Sequence, residues 1–560
     1  MELILKFIFL ISLFSITTTF KCGFNTIKRP PIGKISPDNS LNSKLRNTES
    51  SEIRIEVDYE ILEKQISDPL LAGIKKSFAQ AIAAFQKYLK VKNPKTYEFT
   101  SNSLNGYELD FKPQHVTKLL NNQLSVADVY LVPYYLYEDV DAAAYPILVD
   151  SESNRPVLGG VLLGTHFDFS IKNKDRFLTM LLLHEISHVL AFNDDLFPLF
   201  EGITEPITVL AVNGIYRLLL KTPKVLEKAR GHFGCPSLKG VELENQGGSG
   251  SAGSHWEARI MLGDYMISTD YPELVVSDIT LAVFEDSGWY EVNYVTGGLF
   301  KTGKGEGCDF LQLTCIDTND IDRKSRFPMD FCNTDYEVCS PGMLDRGECY
   351  IRPYSSITYE FQYFGDSKTG GYEPADYCPV AMSDPFQTGN YYFYSRCDDD
   401  AKKTNLPSDI YQLFGDKSFC FQSSLMSSSA TQSTKDKYGD KLTARCLQIN
   451  ECDSNTLSYK VQIGSNLDFN CSDATSQKAY EVDGFEGIFV CPPYWRICGG
   501  IPLCNDPLKC ATVGSKTQME DTTNYVVDKA EYDHRYEYPN RSKFVHFNFW
   551  IFISLLNFIL

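Results

Sequence analysis

The sequence predicts an α+β domain followed by a cysteine-rich, disulfide-stapled region. Two observations carry that reading. Between residues 52 and 300, stretches with the two-residue alternation of strands interleave with apolar repeats at helical spacing. From Cys308 to Cys510, cysteines recur every 6 to 29 residues among many Tyr, Asp and Gly, a pattern of compact stapled structure with little long helix.

Composition sets the outer bounds. A chain of 560 residues has ample length for a large core, and roughly two to four domains are expected. A charged fraction of 22% with 13% aromatics is that of a globular protein. The formal charge of −19 repels phosphates and so argues against a nucleic-acid partner.

Taken in order, residues 1–20 carry Lys6 and then the apolar run Phe7-Ile8-Phe9-Leu10-Ile11-Ser12-Leu13-Phe14, the shape of a secretory signal peptide. The run is short for a bilayer span. Behind such a signal, the 17 cysteines read as a disulfide framework made in an oxidising compartment. Their count is odd and Cys22 stands alone far upstream, so the leftover thiol is assigned to Cys22. Residues 21–51, rich in Pro, Ser, Asn and Lys, read as an exposed, cleavable leader.

Order is expected from residue 52. Ile53-Arg54-Ile55-Glu56-Val57-Asp58-Tyr59 alternates like a half-buried strand, and Leu70 to Val91 repeats apolar residues at helical spacing. Val126–Val132 and Val157–His166 read as further strands; the pair Gly159-Gly160 in the second allows a bulge or the close approach of another backbone. Gly202 to Leu220 is apolar and expected to be helical, Gly231–Leu238 a turn-rich junction, and the glycine-rich Asn245–Ser254 a loop delivering His255-Trp256-Glu257.

The chemistry lies in Leu183-His184-Glu185-Ile186-Ser187-His188. Residues four apart on a helix are separated by roughly 40° and about 6 Å along the axis, so His184 and His188 can grip one metal ion from one face. Two neutral imidazoles suit Zn²⁺ and leave room for a third ligand and a water, whose proton a neighbouring carboxylate, here Glu185, can take as the oxygen attacks a carbonyl. The chain has eight histidines, so the search for a third ligand is short. His255 ends the glycine loop 67 residues after His188; His232, in the junction, is the other candidate.

These stretches, together with Phe233-Gly234-Cys235-Pro236-Ser237-Leu238, Ala252-Gly253-Ser254-His255-Trp256-Glu257, the turn at Met266 and Leu281–Tyr290, resemble the leishmanolysin family of zinc metallopeptidases, a branch of the metzincins. The resemblance covers about Ile53 to Leu311. It implies a metzincin-type catalytic domain over residues 52–300, a single Zn²⁺ bound by His184, His188 and His255, Glu185 as general base, and Met266 as the methionine of the turn beneath the metal. It also implies that a leader cysteine can occupy the open metal position until proteolysis removes it, a role that falls to Cys22, although Lys21, Gly23 and Phe24 do not reproduce the family's leader motif. Another departure is Ala191, where metzincins place glycine three residues after the second histidine. If that position needed positive φ, alanine would cost on the order of 1 kcal/mol.

The cysteine-rich region is assigned to residues 301–530, with a pairing that sequence does not dictate, and a tail to 531–560. Phe544–Leu560 is mostly apolar and resembles a lipid-anchor attachment signal. Asn470-Cys471-Ser472 and Asn540-Arg541-Ser542 fit the glycosylation pattern. The expectation is a secreted or cell-surface zinc metalloendopeptidase acting on protein or peptide substrates, held at the membrane through its C-terminal anchor. The alternative is a catalytically silent adhesion protein that keeps the fold.

Overall fold

A computed structural model describes residues 22, 29–38 and 51–498, apart from 105–110, 139, 166–173, 213–214, 246–251, 270, 272, 295–299, 334–336, 383–395, 399–409, 416, 439–441, 465–466 and 473–478. The expected signal peptide, the tail with its anchor, His166, Cys504, Cys510 and Asn540 lie outside the described residues.

In chain order the first half contains β1 (Gly33–Ile35), β2 (Ser51–Glu52), β3 (Ile55–Val57), helix α1 (Asp68–Tyr88), β4 (Leu89–Val91), β5 (Val129–Tyr135), β6 (Ala142–Asp150), β7 (Pro156–Leu163) and helix α2 (Lys174–Leu190). Beyond these come β8 (Ile207–Val212), β9 (Ile215–Leu220), α3 (Pro223–Phe233), β10 (Val241–Leu243), α4 (Ala258–Met261), α5 (Asp278–Asp286), β11 (Tyr290–Val292) and α6 (Cys308–Gln312). The main sheet has the order β1-β6-β7-β5-β3. β6 runs antiparallel to β7, whereas β7, β5 and β3 are mutually parallel. β6 and β7 are buried along their whole length, as expected of strands covered on both faces.

Helix α1 shows why it packs where it does. Leu71, Ile74, Phe78, Ala81, Phe85 and Tyr88 follow one another at intervals of three and four, forming one buried stripe. Pro69 and Asp68 in its first turn suit a helix start, where an N–H is dispensable and negative charge meets the positive end of the dipole. The helix stops at Tyr88, short of the expected Val91, because Leu89–Val91 pair with β11 and β2 instead. Helix α2 lies between α1 and the sheet, contacting β6 and β7; Thr179 Oγ1 donates to Gln80 Oε1 at 2.7 Å across the helix pair.

Gly159 in β7 is where α2 meets the sheet. A Cβ there would stand 2.4 Å from Val189 Cγ1, on the residue after His188. The close approach allowed by the paired glycines is thus made by a side chain of the helix.

Three further expectations are corrected. The leader is not exposed throughout and order does not wait for residue 52, because Cys22 and Ile35 are buried and β1 joins the main sheet beside β6. The apolar segment up to Leu220 is a hairpin, β8 paired with β9 from Ile207↔Leu220 to Val212↔Ile215. Its β-branched Ile207, Thr208, Val209, Val212 and Ile215, flanking Asn213-Gly214, are strand and hairpin signals that outweigh bulk apolarity. At the junction, Gly231, His232 and Phe233 belong to α3; the turn starts at Gly234, which caps the helix at φ 69°.

The cysteine-rich half is built on a six-stranded antiparallel sheet whose spatial order is Leu467–Ser472, Ser458–Ile463, Thr443–Asp453, Ser418–Ser423, Phe489–Val490 and Ala479–Tyr480. Seven disulfides are formed among the described residues: 235–308, 315–378, 332–349, 339–420, 397–446, 452–498 and 471–491. Cys235–Cys308 fastens the end of α3 to α6. Asn470 is exposed on an edge strand of the large sheet, accessible to a glycan. One hydrophobic cluster runs continuously from Cys22 to Cys498, so the two halves share a core.

Gly159→Ala should lower the thermal midpoint, since overpacking costs about 1–3 kcal/mol, and combining it with Val189→Ala should recover part of that loss. Calorimetry on the two single variants and the pair would show strictly additive losses if this contact were unimportant.

Candidate metal centre

The last turns of α2 present His184 and His188 on one face, as their spacing requires, and the segment after β10 brings His255 to them. The Nε2 atoms of His184 and His188 are 3.1 Å apart, and those of His184 and His255 3.2 Å. Cys22 Sγ lies 3.6 Å from His188 Nε2, and these four ligand atoms all fall within 4.8 Å of one another. All four residues are buried.

The donor set fits zinc. Tetrahedral ligands with Zn–N of about 2.0–2.1 Å and Zn–S of about 2.3 Å stand roughly 3.3 Å (N to N) and 3.6 Å (S to N) apart. Ring tautomers agree with this. His184 Nδ1–H donates to Tyr265 O and His188 Nδ1–H to Phe192 O, both at 2.7 Å, which leaves their Nε2 lone pairs facing inward. Two such lone pairs 3.1 Å apart repel unless a cation lies between them. Burial, reinforced by His255, holds the His184 imidazole down at about 3, and burial with His184 holds His188 well below its ordinary value, so both rings are neutral ligands at neutral pH.

Glu185 is fully buried, and neither of its oxygens makes a hydrogen bond of good geometry among the described residues. Burial pushes its carboxyl well above the usual range; the Cys22 thiol and the Ala144 backbone oppose that, and Asp141 adds to it. A buried carboxyl beside three imidazoles is the arrangement a proton-accepting group needs when a water is to be held there.

Supporting contacts come from the turn at Met266. Asp264 accepts the Met266 N–H at 2.7 Å and the Thr280 hydroxyl at 2.7 Å, and Trp256 N–H donates to Met266 O at 2.9 Å, tying this turn to the residue after His255. Met266 is buried. Ser187 Oγ and the Tyr265 hydroxyl are 2.9 Å apart, fixing the same turn against α2. None of these polar partners has a sequence signal apart from the Met turn itself.

His232 belongs elsewhere. Its Nε2–H donates to Thr302 O at 2.8 Å and its ring stacks on Phe300 with centroids 4.8 Å apart. Ala191 carries no strain, because it is absent from the positive-φ residues. The helix instead ends through Phe192 N–H to Ser187 O at 2.8 Å and the Asn193 side chain, which donates to His188 O at 3.2 Å. Glycine is therefore not required there.

The segment expected to be a leader is held to the domain in three places. Cys22 bridges Ala142 in parallel with β6, β1 pairs in parallel with the other end of β6 from Gly33↔Leu148 to Ile35↔Asp150, and Arg29 Nη1 lies 3.0 Å from Asp194 Oδ1 and 2.7 Å from Asp195 Oδ2, just beyond α2. Cys22 stands outside the seven disulfides, as the odd count anticipated.

Comparison with known proteins adds a second line of evidence. A sequence profile described as leishmanolysin matches residues 70–505, well beyond Leu311 and through most of the cysteine-rich half. The chain is 30% identical over 407 residues to leishmanolysin of Leishmania tropica, covering 70% of this chain and 57% of that protein. It is also 30% identical over 335 residues to a leishmanolysin homolog of Crithidia fasciculata, with coverages of 58% and 48%, and 29% identical over 335 residues to a leishmanolysin-like peptidase of Caenorhabditis elegans, with coverages of 49% and 50%. The chain thus spans about half to three-fifths of the length of these curated relatives.

Asp264 gives a pH test of the turn. Burial raises its carboxyl to about 6, against the hydrogen bonds from Ser277, Met266 and Thr280. A folded-state value above the unfolded one means the native protein holds a proton that the unfolded chain has released. The associated stability is present below about pH 4 and is lost as pH rises through 6, by up to about 3 kcal/mol. Asp264→Asn should remove that part of the pH dependence in denaturant titrations between pH 4 and 7; an unchanged slope would contradict it.

Proposed function

The chain belongs to the leishmanolysin family of zinc metallopeptidases, and we propose on that footing that it is a secreted or cell-surface zinc metalloendopeptidase hydrolysing peptide bonds in proteins. The observation that carries the proposal is the convergence of three buried imidazoles on one point beside the buried carboxyl of Glu185.

His184, His188 and His255 would hold the metal. Zinc bound there supplies Lewis acidity toward a scissile carbonyl and toward water. The chain's own contribution is orientation and proton transfer. Tyr265 O and Phe192 O fix the two helical imidazoles in the tautomer that ligates. Glu185 takes the proton from water as its oxygen attacks the carbonyl carbon, and returns it to the departing amine nitrogen, so that the C–N bond breaks and carboxylate and amine products form. Burial keeps bulk water from competing for these charges.

Cys22 supports latency. Its sulfur stands where a fourth ligand belongs, and while the leader is held by β6 and by Arg29 at Asp194 and Asp195, that position is closed to substrate. Proteolytic removal of the leader opens it.

Seven disulfides suit an oxidising, extracellular compartment. Attachment to a membrane rests on the tail at 531–560 alone; among the described residues no helix is long and apolar enough to cross a membrane.

Glu185→Gln, with the leader removed, should bind zinc and melt like the parent chain while cleaving casein about 10²–10⁴-fold more slowly; undiminished cleavage contradicts the mechanism. Cys22→Ala should give an unprocessed chain that already cleaves casein, where the parent does so only after processing. An inactive Cys22→Ala precursor whose processed form is active would rule out the thiol as the block.

A further inference from the structure

The segment bearing the third imidazole is supported from the far half of the chain. Backbone pairing with β10 sets its path: Glu244 N–H donates to His255 O at 2.8 Å, Gly253 N–H to Glu244 O at 3.0 Å, and Glu257 N–H to Glu242 O at 3.0 Å. Side chains repeat the connection. Asn245 Nδ2 donates to Glu242 Oε1 and to Glu257 Oε2, each at 3.1 Å, and Glu257 Oε1 accepts Arg259 N–H at 3.0 Å, capping α4. Arg217 on β9 then holds Glu242 Oε2 at 3.0 Å.

Asp376 stands at the centre of this arrangement and comes from elsewhere. It is fully buried, and its ligand oxygen lies within 4.8 Å of those of Glu242 and Glu257. Arg217 Nη2 is 4.0 Å and Arg259 Nε 3.9 Å from Asp376 Oδ2. The same Arg259 guanidinium donates to Phe310 O at 3.1 Å and Leu311 O at 2.9 Å, at the end of α6. Asp376 sits at φ 54°, where non-glycine residues are uncommon, inside a turn closed by Tyr372 N–H to Cys378 O at 2.9 Å and fastened by the Cys315–Cys378 disulfide.

Its two cations lie on either side of His255 in the chain, Arg217 on β9, which pairs with β10 and reaches its Glu242, and Arg259 on α4 after the glycine loop. At about 4 Å in a buried site such charges are hardly screened. We infer that Asp376 is a positioning residue for the third metal ligand: the disulfide-stapled half holds Arg217 and Arg259 in place through it, and they hold the ends of the segment that aims the His255 ring. The inference rests on the reading of His255 as a zinc ligand. It assigns the distal half a part in metal affinity as well as in folding.

The test measures zinc affinity of the full chain by competition with a chromogenic chelator, well below the thermal midpoint, in a Cys22→Ala background. Asp376→Asn keeps the shape and removes the charge; it should weaken zinc binding about tenfold or more, as loss of a residue supporting a ligand does. Placed on His255→Ala, which alone must weaken binding, it should add nothing. Affinity within about twofold of the parent, far short of the 10–100-fold expected for lost ligand support, overturns the inference. So does an equal further loss in the His255→Ala chain, because the effect would then be general to the fold. If Asp376→Asn does not fold, Arg217→Gln on the less deeply buried side of the same link is measured instead, and normal affinity or a failure to fold there overturns it too. Normal binding by His255→Ala alone would be the separate failure of the zinc-ligand reading.

Discussion

Everything at the centre of this molecule depends on placing four atoms able to ligate a metal, from residues 22, 184, 188 and 255, within 4.8 Å of one another and away from water. Such an arrangement is unfavourable in itself. Inward lone pairs repel, and a buried carboxyl beside them loses its hydration. The surrounding structure must therefore be rigid enough to impose it, and a metal bound there would add its binding energy to the folding energy of whatever holds these residues.

The rigidity is distributed by element. Helix α2 fixes His184 and His188 relative to each other through its own pitch and is pressed into the sheet at Gly159 by Val189. Carbonyls of Tyr265 and Phe192 set the rings. His255 is not on a long helix, and so it draws on backbone pairing with β10, on the Met266 turn and on a buried charge network. That network reaches Asp376, next to a disulfide of the other half. A shared core across the two halves is the physical counterpart of a family match that runs from residue 70 to 505.

What could be read in the sequence follows from the range of the interactions concerned. The pair His184 and His188 is legible because helix pitch converts a four-residue spacing into one face. His255 was reachable because histidines are few and because its flanking residues resemble a family with a long gap before the third ligand. Bulk apolarity over Ile207–Leu220 fits helix or strand alike, and Asn213-Gly214 between β-branched residues is the sequence signal for the hairpin. Asp376 and its arginines were invisible: charged residues separated by more than a hundred positions carry no local pattern. Cysteine pairing was equally closed to inspection, and the Ala191 question could be answered only by the backbone angle there.

Cys22, His184, His188 and His255 are proposed to form one cage around one metal ion. X-ray absorption at the zinc edge, on the zinc-loaded chain with its leader intact, tests it most directly. Such a cage gives three nitrogen neighbours at about 2.0–2.1 Å and one sulfur at about 2.3 Å, with sulfur lost when the leader is removed. A first shell without sulfur in the intact chain, or sulfur that persists after the leader has gone, would contradict it.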